Sequence, residues 1–434
     1  MDRRKANRTI TIEALSRVEG EGGLHVRLRD GQIDELQLKI YEPPRFFEAF
    51  LRGRPLEEVP DLVARICGIC PVAYQMTAVH ALEQALGATI TPQIRRLRRL
   101  LYCGEWIESH GLHIHLLHAP DFFNLPSGLA LAQQLPQAVT RGLQLKKHGN
   151  RLLEVLGGRA IHPINVAVGG FYSVPRRDEL ASLIPDFEWG LSAAVEATRW
   201  ASGFSFPDFQ QDYEFVSLRH PDEYPMNEGQ VVSSRGLSID VATYEREFAE
   251  SHVAHSTALH SERTAGRTPY LVGPLARVGL NLDRLSPTAR RIADETGIAW
   301  PSRNLYHSIV ARGLELIHAF EEALDILKTY ETPSQSRIAL EKRDGEGCAA
   351  TEAPRGLIYH RYRVTSDGHV AFAKIVPPTS QNQMQIEADL RRFLPTVLTD
   401  DDAASALECE KLIRNYDPCI SCSTHFLTLT VERG

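Results

Sequence analysis

No run of this sequence is long and apolar enough to cross a bilayer, so no membrane span is expected. A basic excess is missing too. The 48 Lys and Arg stand against 55 Asp and Glu, a net charge of −7, which argues against a nucleic-acid partner. No GxGxxG fingerprint follows a strand pattern, so a dinucleotide site of that type is not expected. Repeats, low-complexity tracts and evident linkers are absent. Residues 1–15 carry basic side chains but no apolar core, and do not read as a signal peptide. Cysteine is scarce: seven in 434 residues, an odd number at spacings unlike a disulfide framework. That usage points to a reducing compartment, with the cytoplasm as the expected location.

A composition of 43% hydrophobic and 24% charged residues is that of a globular chain long enough for a substantial core. Residues 9–40 alternate apolar and polar side chains and predict strands, with a turn at Asp30-Gly31. Helical patterns follow from Pro71 to Gly87 and at about 93–118, 127–156, 177–203, 240–262, 286–297 and 303–330. Residues 355–380 predict a hairpin turning at Asp367-Gly368, and two more helices cover 383–398 and 403–414. The expected fold class is mainly α with small β elements (α+β), one domain over residues 1–434.

Four of the seven cysteines form two Cys-x-x-Cys pairs: Cys67 and Cys70 in RICGIC, and Cys419 and Cys422 in DPCISCSTH. Two tight thiol pairs are a complete ligand set for one soft metal centre. A structural zinc site is one reading, although zinc modules usually keep their pairs closer in sequence. A redox-active dithiol is a second, but neither pair has the βαβ setting it needs. The third is a catalytic metal centre that brings the two ends of a large domain together. Cys70 precedes the helix opening at Pro71, whose N-terminus favours thiolate. Asp417 and Pro418 predict another helix start, which would put Cys419 and Cys422 in one first turn.

The surrounding blocks go further. RVEGE (17–21), FFEAFLRGR (46–54), RICGICP, RAIHP (159–163), APRG (353–356), PPTSQN (377–382) and DPCxxCxxH occur in this order along the chain. Together they resemble the large, catalytic subunit of nickel–iron hydrogenases. A related respiratory-complex subunit shares that fold but lacks the four cysteines. The resemblance implies a central bundle of long helices with both chain ends meeting at the metals, and reversible heterolytic cleavage of dihydrogen. The alternative is a non-catalytic, metal-stapled scaffold subunit of a larger redox complex.

Residue by residue, the resemblance implies nickel bound by Cys67, Cys70, Cys419 and Cys422, with Cys70 and Cys422 shared with an iron carrying cyanide and carbon monoxide. Glu19 would take a proton from Cys419, as a buried carboxyl with a raised pKa could. Arg355 would overhang the metals, with Asp417 as its partner, and Thr379 and Ser380 would donate to a cyanide. Glu48 and His425, with a backbone carbonyl near Lys374, would bind magnesium or another divalent cation. The histidines in HGLHIHLLH form two pairs at i,i+3, His110 with His113 and His115 with His118. These, like His252 and His255, read as satisfied core side chains. Ser109 stands where many family members carry aspartate.

Two electrons leave per hydrogen molecule, yet Cys103, Cys348 and Cys409 are too few and scattered for an iron–sulfur relay. An iron–sulfur small subunit is therefore the expected partner. The motif variants most resemble cytoplasmic, bidirectional NAD(P)-linked or sulfhydrogenase-type members, which implies further flavin/NAD(P)-type diaphorase or ferredoxin-linked subunits. The family's processing implies removal of residues 426–434 once nickel is in place.

Overall fold

The computed structural model describes residues 7–424. Strands Arg8–Ile12, Gly22–Arg29 and Gln32–Ile40 form an antiparallel sheet in chain order. Leu24, Val26, Leu28, Leu36, Leu38 and Ile40 are buried at alternate positions, as in a sheet covered on one face. Asp30 (φ 53) and Gly31 (φ 77) make the turn, two left-handed residues in a conformation both side-chain types tolerate.

Helices Pro71–Leu86, Pro92–Leu112, Pro136–Gly157, Ile184–Ser202 and Ser308–Lys328 build the main core. Proline in the first turn starts four of these five, where its missing N–H costs nothing. Pro92–Leu112 and Pro136–Gly157 cross at close range. A Cβ on Gly149 would lie 2.7 Å from the Gly104 oxygen and the Glu108 nitrogen, so only glycine allows the approach.

Helix Pro71–Leu86 also packs on a second antiparallel sheet of Gly345–Ala353, Gly356–Val364 and Val370–Val376. It has three strands where the sequence predicts two. The missed strand, GEGCAATEA, is buried on both faces over its last five residues and shows no alternation. Residues 240–262 depart further from expectation. Instead of one helix they hold a 3-10 turn at Val241–Thr243, one α turn at Tyr244–Glu247 and the paired strands Phe248–Ser251 and His260–Arg263. Phe248 stacks on Tyr244 and packs against Tyr270, and this tertiary packing overrides local propensity.

Helices Pro378–Val397 and Asp402–Arg414 cover the N-terminal sheet and form a second core. Beyond Leu112 the long helix continues as a π-helical turn, His113–His118, then Ala119–Phe122. Asp121 there accepts two bonds from Arg414, at 2.7 and 2.9 Å, and pairs with Arg17. Arg414 also donates to the Ser16 carbonyl at 3.1 Å. One buried carboxylate thus ties both ends of the chain together. The fold is mainly α with small sheets, and no described helix is long and apolar enough to cross a membrane.

Candidate metal centre

Helix Val59–Ala64 ends just before Cys67, and Cys70 immediately precedes the Pro71 helix. The amides of Ile69 and Cys70 donate to Cys67 Sγ at 3.3 and 3.0 Å, which favours the thiolate. Glu105 reaches in from the neighbouring helix and accepts from the amides of Val72 and Ala73, at 2.6 and 3.1 Å. It thereby caps the turn that carries Cys70.

The second pair is held differently from expectation. Asp417 is left-handed (φ 52) and caps no helix. Its side chain accepts from Arg355, because a buried guanidinium is a stronger donor than free helix amides. Cys419 lies in extended backbone, and Cys422 falls in a short 3-10 segment, Ile420–Thr424. The thiols still converge. Sγ–Sγ distances are 2.8 Å for Cys67–Cys70, 2.9 Å for Cys419–Cys422, 3.5 Å for Cys67–Cys419 and 4.0 Å for Cys70–Cys422. All four are buried and none forms a disulfide. Burial and the mutual hydrogen bonds divide their acidity. The Cys67 thiol falls well below the ordinary range because hydrogen bonds from the other three thiols and the charge of Arg355 outweigh burial. Burial pushes Cys70 up, and the Cys422 contact pushes Cys419 up.

Glu19 and Cys419 are bridged through the backbone: Ile420 N–H donates to the Glu19 carbonyl at 2.9 Å. The Glu19 side chain is half-buried, not fully buried as expected. Its Oε2 accepts from Cys419 Sγ at 3.0 Å and from Ser421 N–H at 3.1 Å. Gly20 (φ +89) makes the contact possible, since a Cβ there would stand 2.8 Å from the Ile420 Cβ. Ser421 Oγ continues outward to Glu42 at 2.9 Å, a pair that no sequence signal marks.

Arg355, in the turn between Ala353 and Gly356, donates from Nε to the Asp417 carbonyl at 2.7 Å and from Nη2 to its carboxylate at 3.0 Å. Burial pushes Asp417 up against the opposing pull of Arg355 and Arg312. Arg355 Nη1 is buried with no partner among the described residues. Thr379 Oγ1 accepts from the Cys419 amide at 3.0 Å, so it holds the thiol segment itself. Ser380 differs from expectation: its hydroxyl already donates to the Pro377 carbonyl at 3.0 Å.

Glu48 Oε1 accepts from Ile375 N–H at 2.8 Å. His425 and residues 426–434 lie outside the described residues. The histidine run is buried, but its pairing is corrected. The π-helical turn brings His113 against His118, ring centroids 5.2 Å apart, because a wider turn aligns i with i+5. His110 meets Glu315 at 2.9 Å, His113 meets the Arg414 carbonyl at 2.9 Å, and His115 meets the Gly111 carbonyl at 3.0 Å. His118 has no hydrogen-bond partner among the described residues, and neither does the buried hydroxyl of Ser109. His252 is exposed, not in the core: its strand ends at Ser251 and the chain turns outward there. His255 is half-buried and meets Glu387 at 2.8 Å. His260 completes a close group with them, in which one Glu387 oxygen already accepts from the Leu38 amide.

The sequence profile of nickel-dependent hydrogenases matches residues 45–141 and 264–425. The chain is 33% identical to sulfhydrogenase 1 subunit alpha of Pyrococcus furiosus over 97% of its length and 98% of that protein. The chain belongs to the nickel-dependent hydrogenases. It is also 26% identical to the NAD-reducing hydrogenase HoxS subunit beta of Cupriavidus necator, over 97% of this chain and 95% of that one. An NAD+-reducing NiFe hydrogenase in its H2-reduced state superposes with a TM-score of 0.85 at 28% identity, covering 97% of this chain and 100% of that one.

This hydrogenase chain is thus a catalytic oxidoreductase subunit acting on hydrogen, which sets aside the scaffold alternative. The donor set fits the family's metals. Four soft sulfurs lie within 4.8 Å of one another, as one nickel–iron centre needs. Arg355 Nη1 adds a buried cationic donor with no partner among the described residues.

Proposed function

We propose that Cys67, Cys70, Cys419 and Cys422 would hold a nickel–iron centre, with Cys67 and Cys419 as ligands of nickel alone and Cys70 and Cys422 as ligands of both metals, and that this subunit catalyses reversible, heterolytic cleavage of dihydrogen. When bound, the nickel–iron pair supplies the redox change and Lewis acidity for that cleavage. The chain's own residues handle the proton and the charge. Cys419 Sγ stands 3.0 Å from Glu19 Oε2, so a proton on that sulfur has a carboxylate acceptor within hydrogen-bond reach. This contact is the observation that carries the reading. The Ser421 amide orients the same Glu19 oxygen, and Ser421 Oγ and Glu42 extend the polar path outward.

Asp417 fixes two edges of the Arg355 guanidinium and leaves Nη1 without a partner among the described residues, so it would be the donor to a cyanide on an iron that would also carry carbon monoxide. Thr379 holds the Cys419 amide and keeps its own proton for a second cyanide. Glu48, His425 and a backbone carbonyl near Lys374 would hold a magnesium or similar divalent ion. A crowd of acids supports this. Burial pushes Glu250 up to about 8 against the pull of Lys374, with Glu48 and Glu245 adding to the rise, and a cation would relieve that repulsion.

The whole chain forms one domain in this reading, with 426–434 removed on maturation. Its partner is an iron–sulfur small subunit, joined in the cytoplasm by diaphorase-type or ferredoxin-linked subunits, as the sulfhydrogenase and NAD-reducing relatives suggest. Metal analysis and infrared spectroscopy of the purified complex test it. Equal nickel and iron with cyanide and carbon monoxide bands are expected; zinc alone, with no such bands, overturns the reading.

A further inference from the structure

The two thiol pairs come from loops with little local structure, and something must set one against the other. Cys67 follows the end of the Val59–Ala64 helix, and Cys419 precedes a single 3-10 turn. Neither segment is stiff enough alone to fix a sulfur. Glu19 and Thr379 hold only the Cys419 side. Glu105 holds only the Cys70 side.

Arg45 touches both. Its Nη2 donates to the Ile66 carbonyl, next to Cys67, at 2.6 Å, and also to the Ser421 carbonyl, between Cys419 and Cys422. Its backbone N–H donates to the Thr424 carbonyl at 2.7 Å. The guanidinium lies 5.4 Å from the Phe47 ring centroid, so its position is braced from a third side. Pro43 and Pro44 precede it and stiffen the approach.

We infer that Arg45 is a positioning residue, a latch that sets the two Cys-x-x-Cys segments against each other. The inference rests on the reading of the four thiols as one centre. A guanidinium suits the task because its several N–H donors point in fixed, coplanar directions and can serve two carbonyls at once. An ammonium keeps the charge on a freely rotating point donor. The same contacts make Arg45 sensitive to closure: all its C-terminal partners lie in residues 421–424, so they exist only when that segment has docked.

The test uses the holoenzyme with its partner subunits, carrying Arg45→Ala or Arg45→Lys. Amide hydrogen exchange is followed in the peptide containing 419–424 and in helix Ser308–Lys328, alongside the nickel paramagnetic resonance signal. Arg45→Ala should speed exchange in the 419–424 peptide by roughly tenfold, the scale of a lost charge-assisted hydrogen bond, while the helix stays unchanged. Arg45→Lys should fall between wild type and Ala and shift the nickel signal with metal content retained. Unchanged exchange in Arg45→Ala overturns the inference. So does an equal rise in the helix, which marks general destabilisation, or a Lys variant that matches wild type. Metal analysis of the wild type separates the two readings: zinc alone would refute the nickel–iron centre, while exchange would still report on the latch.

Discussion

Cys419 Sγ and Glu19 Oε2 are 3.0 Å apart, across 400 positions of sequence. Their backbones are also bridged, so the contact is fixed at both main-chain and side-chain level. A thiol and a carboxylate locked in this way can exchange a proton without rearrangement.

Glu19→Gln keeps the shape and removes the proton acceptor. Hydrogen–deuterium exchange activity should fall by about 10²- to 10⁴-fold, the range for loss of general acid–base catalysis, with nickel and iron content unchanged. Loss of metal in this variant would assign Glu19 a structural task instead.

Arg355→Lys retains the charge but cannot span both Asp417 acceptors and a third ligand. Hydrogen oxidation should drop by roughly 10²-fold or more, as when one preorganised donor is removed, and the iron cyanide bands should shift. Unshifted bands would show that Nη1 does not face them.

Thr379→Val removes the acceptor of the buried Cys419 amide. The unsatisfied donor should destabilise the protein by about 1–3 kcal/mol, read as a lower thermal unfolding midpoint. An unchanged midpoint would mean that another acceptor replaces the hydroxyl.

Acid should weaken the fold through the histidines. Burial lowers His110 and His115 to about 4 and His118 to about 3, whereas an unfolded imidazole titrates near 6.5. Folded values below unfolded ones mean that this stability is fully present above about pH 6.5 and is lost as pH falls toward those folded values. Each contributes a slope of about 1.4 kcal/mol per pH unit between the two limits. His118→Phe should therefore flatten the dependence of unfolding free energy on pH by about that amount near pH 5.

Removal of the tail predicts an active chain ending at His425. Intact-mass measurement on active enzyme should show residues 426–434 absent; retention of all of them in active enzyme would refute the processing.

Much of this was legible in the sequence, and unevenly so. The long helices are readable because their apolar periodicity and first-turn prolines agree, as at Pro71 and Pro92. The two thiol pairs mark a soft-metal site by their spacing, and the blocks around them name the centre by resemblance. Strand Gly345–Ala353 was hidden by burial on both faces, and residues 240–262 by helix-forming composition that aromatic packing overrides. Local sequence makes Asp417 a cap because its competitor for hydrogen bonds, Arg355, is remote in sequence, and only the resemblance pairs the two. Arg45 had no signal at all: its partners are backbone carbonyls, which no side-chain pattern announces.

The π-helical turn at His113–His118 has a consequence beyond its ring contact. It changes the rotational phase of everything after it, including Asp121, the acid that binds Arg17 and Arg414. Winding the same six residues as α-helix, with none deleted, would swing that carboxylate about 100° around the axis. It would then face away from both guanidinium groups, taking the carboxylate they share from the half-buried Arg17 and the buried Arg414. The closure of the chain's two ends thus depends on an angular offset within a helix that contributes no ligand to the centre.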